Sequence, residues 1–67
     1  MPIIQVSIVS GRSPEKIEKL IGELTKVTAE VLEAPAETIK VLVTELEPTH
    51  WGSNGESIAA RRSRGGK

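Results

Sequence analysis

Between two short strand-like runs lies one amphipathic helical stripe, and no second stripe of that length is present to set against it. Ile17, Leu20, Ile21, Leu24, Val27, Thr28, Val31 and Leu32 recur at steps of three and four over about five turns. Glu15, Lys16, Glu18, Lys19, Glu23, Lys26 and Glu30 fill the other side. Ser13 suits the N-cap, Pro14 the first helical position, and Glu15 the positive end of the dipole. Ala34-Pro35 ends the pattern. Before the helix, Ile3 to Val9 alternates, with Ile4, Val6 and Ile8 on one wholly apolar face. After it, Ile39 to Leu46 alternates, Ile39, Val41 and Val43 against Lys40, Leu42, Thr44 and Leu46. Strand, long helix, strand predicts an α/β (α+β) protomer, a β-α-β unit with parallel strands joined by the helical crossover.

One helix covers one face of a two-stranded sheet. The other face still carries Ile3, Val9, Leu42 and Leu46, and a two-stranded sheet is too small to stand alone. The chain has 67 residues and no Cys, so no disulfide can compensate for a small core. Association with another copy, or with a partner, is the remaining device, and any useful cleft is then expected between subunits.

Pro48 to Gly55 reads as a turn-rich loop, with a short strand or turn over residues 56–60. Residues 61–67 hold no apolar side chain and are expected to form a flexible basic tail beyond a domain of residues 1–60. That tail carries +4 from Arg61, Arg62, Arg64 and Lys67. Residues 1–60 hold five basic and nine acidic side chains, net −4, so the tail is expected to contact its own body or a neighbour, or to be solvated. Without an aromatic stacking platform, nucleic acid is set aside as a partner. No apolar run is long enough to span a membrane and no secretory signal precedes the first strand, so a cytoplasmic location is expected.

The common catalytic sets are missing. One His and no Asp exclude a Ser-His-Asp triad within the chain, and no nucleophile elbow replaces it. A lone His50 does not make a metal site, and the phosphate-binding glycine patterns are absent. Two features remain. Met1-Pro2 would leave a secondary amine at the mature N-terminus once the initiator Met is removed. Desolvation and neighbouring cations would favour its neutral form, giving a general base near neutral pH. Arg12, in Gly11-Arg12-Ser13 at the helix start, could hold a carboxylate bidentately. On the chemistry alone the plainer readings are favoured: Pro2 as the start of an edge strand, Arg12 as a solvated loop cation.

The ordered set changes that balance. Pro2-Ile3-Ile4-Gln5, Gly11-Arg12-Ser13, the five-turn helix, Ala34-Pro35, Val43-Thr44-Glu45, His50-Trp51-Gly52 and Gly55-Glu56 stand in one order without an insertion. Over residues 2 to about 60 the chain resembles the tautomerase superfamily, close to its small 4-oxalocrotonate tautomerase group.

The resemblance implies β-α-β protomers that pair into a four-stranded sheet with two helices, and a hexamer built as a trimer of such dimers. It implies an isomerase in which Pro2 is the catalytic base, moving a proton within an enol or unsaturated 2-keto acid such as 2-hydroxymuconate. Arg12 matches the arginine that binds a substrate carboxylate. Trp51 matches a position usually held by phenylalanine, an apolar wall that helps depress the amine pKa; plain core or interface packing is its other reading. Lys40 stands where an arginine reaches into a neighbouring subunit's site; it keeps the cation without the two-pronged donor set, and a solvated strand lysine is its other reading. His50 matches by position and is assigned no role. No metal or organic cofactor is implied. Family hydratases and dehalogenases carry an added carboxylate where Ser53 stands here, so water addition is disfavoured. A non-catalytic subunit of a mixed oligomer is the alternative, with Lys40 marking a decayed site.

Overall fold

A computed structural model describes residues 1–65. β1 (Ile3–Val9) leads through a short loop into α1 (Pro14–Leu32). A 3-10 turn (Ala36–Thr38) follows, then β2 (Lys40–Leu46) and a second 3-10 turn (Pro48–His50). A hairpin of two-residue strands, β3 (Gly52–Ser53) and β4 (Glu56–Ser57), and a second helix, α2 (Ile58–Gly65), complete the described residues.

β1 and β2 pair in parallel over their whole length, Ile3 opposite Lys40 and Val9 opposite Leu46. The alternation in the sequence is the alternation in space. Ile4, Val6, Ile8, Val41 and Val43 are half-buried on the face toward α1; Ile3, Gln5, Ser7, Lys40, Leu42 and Thr44 are exposed on the other. Ile39, just before β2, is the single buried residue among those described, at 7% exposure.

α1 begins as its sequence dictates. Ser13 is the N-cap, its Oγ accepting the Lys16 N–H at 3.3 Å, and Pro14 follows at the first position. The helix stops two residues ahead of Ala34, because Glu33 turns left-handed (φ 54°) and its N–H and that of Ala34 both close on the Ala29 carbonyl. Ile17, Leu20, Ile21, Leu24 and Thr28 face inward as the stripe requires. Val27, Val31 and Leu32 do not: they are 54%, 73% and 55% exposed. α1 has 19 residues against strands of seven, so it spans about 28 Å over strands of about 23 Å and overhangs the sheet.

The chain by itself is extended. Its radius of gyration is 15.4 Å, where a compact domain of this length has about 11 Å. Its accessible surface is 5140 Å², against about 4,100 Å² for a compact monomer of this mass. The apolar face left open by a single helix is present as expected, with Ile3 at 61% and Leu42 at 49% exposure.

The C-terminal segment differs from the expectation. Residues 61–65, read as part of a flexible tail, are helical and belong to α2; residues 66–67 lie outside the described residues. The cause is polar rather than apolar. Ser57 caps the helix, its Oγ accepting the Ala60 N–H at 3.0 Å. Arg64 then forms a two-pronged pair with Glu56, the longer contact being 2.9 Å from Nη2 to Oε2, and Arg61 lies 3.6 Å from the same carboxylate. The basic end of the chain contacts its own body, one of the arrangements its charge imbalance suggested.

Candidate active site

The four residues singled out from the sequence fall at two ends of the protomer. Pro2 and Lys40 lie together: the Lys40 N–H donates to the Pro2 carbonyl at 3.0 Å, where both strands start. Pairing fixes the faces. Lys40 is opposite Ile3 and shares its exposed face, while Pro2, one position earlier, falls on the other side of the pleat. The Lys40 side chain turns back along its own connection, Nζ 3.5 Å from the Glu37 carbonyl. Within one chain it therefore serves the open face and not the Pro2 side.

Arg12 lies beyond the opposite end of β1. The ends of β1 and β2 are tied there by the Ser10 N–H to the Leu46 carbonyl at 2.8 Å. Gly11 takes φ 129°, a value that only glycine adopts without strain, and turns the chain toward α1. Arg12 is exposed and its Nη1 donates to the Val9 carbonyl at 2.9 Å. One of five guanidinium donors is thus used on the strand end. Trp51 follows β2 after the second 3-10 turn and is half-buried, its carbonyl accepting the Ile58 N–H at 2.8 Å. Beside it, His50 Nδ1 shares a 2.8 Å hydrogen bond with Thr49 Oγ1.

About 23 Å of strand separates the Pro2 end from the Arg12 end. No side chain bridges that span. A site that joined the two would draw Arg12 from another chain, in keeping with a cleft between subunits.

Glu56, on the hairpin that follows Trp51, is committed to an ion pair. The Arg64 guanidinium holds its carboxyl below its ordinary value of 4.5 against the opposing effect of desolvation, and Arg61 adds a lesser pull in the same downward direction. This ion cluster was not singled out from the sequence, since its partners are eight residues apart and on different elements. Among the described residues no group of three His, Asp or Glu side chains is gathered as a metal would require.

A family model described as tautomerase enzyme matches residues 2–61, a span that begins at Pro2. The chain is 42% identical over 60 residues to 2-hydroxymuconate tautomerase of Stutzerimonas stutzeri, which covers 90% of this chain and 95% of that protein. Among solved structures it is similar to TomN, a 4-oxalocrotonate tautomerase homologue in the tomaymycin biosynthetic pathway. The TM-score is 0.91, with 39% identity over 92% of this chain and 95% of that one. It is also similar to a chain of a heterohexamer 4-oxalocrotonate tautomerase from Chloroflexus aurantiacus, with a TM-score of 0.85 and 29% identity over 88% and 95% of the two. Fold, matched span and identity agree: the chain belongs to the tautomerase family, and its activity is that of a tautomerase, an isomerase.

Proposed function

We propose that the chain, freed of Met1, assembles with further copies of itself into a hexamer and isomerises a 2-hydroxymuconate-like dienol or unsaturated 2-keto acid. The observation that carries this reading is the division of the site residues between the two ends of β1, next to an open apolar sheet face. Pairing two protomers edge to edge with their β1 strands antiparallel would extend the sheet to four strands. It would bring the Arg12 and Trp51 end of one copy to the Pro2 end of the other. Lys40, on the open face, would then point toward a further dimer.

In such a site the Pro2 nitrogen is the base. While Met1 is attached this nitrogen is an amide with no basic lone pair, so removal of Met1 is a condition of activity. The free amine is kept neutral by the apolar wall and by the two cations, both of which disfavour the ammonium form. It takes the hydroxyl proton of the dienol, and the electron pair shifts along the conjugated chain. Arg12 and Lys40 stabilise the carboxylate and the developing oxyanion. The same nitrogen returns the proton to a distant carbon, so nothing is consumed and the double bonds have moved. Water addition is disfavoured because Ser53 supplies no carboxylate and Glu56 is held by Arg64 and Arg61.

Intact mass of the purified protein, followed by ketonisation of 2-hydroxymuconate, tests the reading. A species lacking Met1 should turn over substrate, with a rate that rises as pH passes the amine's pKa and the base becomes neutral. N-terminal capping should remove nearly all activity. Full turnover by capped protein would sink the assignment. A stable assembly with a free Pro2 and no turnover of any enol would instead favour the non-catalytic subunit.

A further inference from the structure

Trp51 is the joint between two small elements, the Pro48–His50 turn before it and the β3–β4 hairpin after it. Neither is long enough to be rigid by itself. α2 touches both: it lies against the turn, and it is tied to the hairpin through Arg64 and Arg61 on Glu56. The hairpin ladder ends where the Ile58 N–H, in the first residue of α2, meets the Trp51 carbonyl. The helix that closes this arrangement is eight residues long and has few apolar side chains. A helix so short does not persist unaided, and its order depends on the Ser57 cap and on the ion pair. Exposed ion pairs are commonly weak, but this one is two-pronged, carries a second arginine, and uses a carboxylate whose side chain is only 26% exposed.

We propose that the clasp of Arg64 on Glu56 is a positioning device that locks the Trp51 joint and so sets how tightly the site closes on the apolar body of its substrate. The proposal rests on the reading of Trp51 as a wall of the site. Glu56 and Arg64 are positioning residues that touch no substrate. Their effect passes through α2 to the turn and the hairpin on either side of Trp51. The consequence is an ionic-strength-dependent pocket: salt weakens the clasp, the joint loosens, and binding suffers before chemistry does.

Trp51 is the single aromatic residue of the chain, so its fluorescence reports this joint alone. The test uses the full chain with Met1 removed, comparing Arg64→Gln, Glu56→Gln and the exchanged pair Glu56→Arg with Arg64→Glu. Each single variant should shift Trp51 emission to the red and raise KM for 2-hydroxymuconate about 3- to 10-fold, with kcat changed less than about twofold. The exchanged pair should restore both, and about 0.5 M salt should move the unaltered protein the same way as the single variants. Unchanged emission in both single variants overturns the clasp. A shifted emission with unchanged KM overturns the placement of Trp51 in the site, and with it any role of the clasp in binding. Loss of kcat with KM unaltered overturns the proposal in favour of a general loss of structure.

Discussion

Arg12 and Lys40 are both exposed cations, yet they are not equivalent. Arg12 keeps four donors of a planar fork after its bond to Val9, whereas Lys40 offers a point charge on a flexible stem. Arg12→Ala is expected to lower kcat/KM on a carboxylate substrate by about 10- to 100-fold, the loss of a charge-assisted pair, and Arg12→Lys should recover little of it. Lys40→Arg is expected to raise kcat/KM a few-fold for a dicarboxylate and to leave a monocarboxylate nearly unchanged; steady-state kinetics on the two substrates decides both. At this scale the sequence was informative about residue type and silent about partnership. The side chains that suggested chemistry could be named from the string, but alternation and pairing were needed to show that Lys40 and Pro2 leave the sheet on opposite faces.

The elements differ in how openly they were written. α1 is legible because its cap, its first proline and its stripe all act within a few residues. Ser13→Ala should therefore cost about 1 kcal/mol, read as a lower midpoint in thermal unfolding. The hairpin signal was equally local: Asn54-Gly55, with φ 56° and 85°, is a two-residue turn of the kind that favours this dipeptide. Within the turn-rich loop it could have been read as the hairpin it is. Gly55→Ala places a Cβ on left-handed backbone and should cost about 1–2 kcal/mol, with loss of the hairpin. α2 was not legible, since a run of arginines without apolar periodicity carries the mark of a solvated tail. What orders it is a carboxylate on another element. That origin gives it a pH dependence. Arg64 holds the Glu56 pKa below its ordinary value of 4.5, so the clasp contributes fully above that value and is lost as pH falls through the depressed one. Trp51 emission should accordingly be flat from neutral pH down to about 4.5 and shift red below it.

For the whole molecule the decisive feature is how much of it lies open. A radius of gyration of 15.4 Å, one buried side chain among those described, and exposed Ile3 and Leu42 leave surface that the proposed larger particle would cover. Leu42→Glu should dissociate that particle and abolish turnover, measured by sedimentation and by activity on the same sample. If Pro2 and Arg12 meet only across chains, two inactive proteins can complement each other. N-terminally capped protein refolded with an equal amount of the Arg12→Ala variant should regain about a quarter of full activity, since half of the sites receive each intact partner. No recovery would place both residues in one chain.

The order of strand, helix and strand, the parallel pair, the cap of α1 and the expectation that something must cover the open sheet face follow from the amino-acid string. They rest on periodicity and on short-range hydrogen bonds, and on the plain count of faces that one helix can cover. The three-dimensional structure alone decided that Lys40 starts its strand beside Pro2 yet leaves the sheet on the other face, and that residues 58–65 are a helix fastened to Glu56. Both are contacts between different elements, and the periodicity within one element carries no information about them.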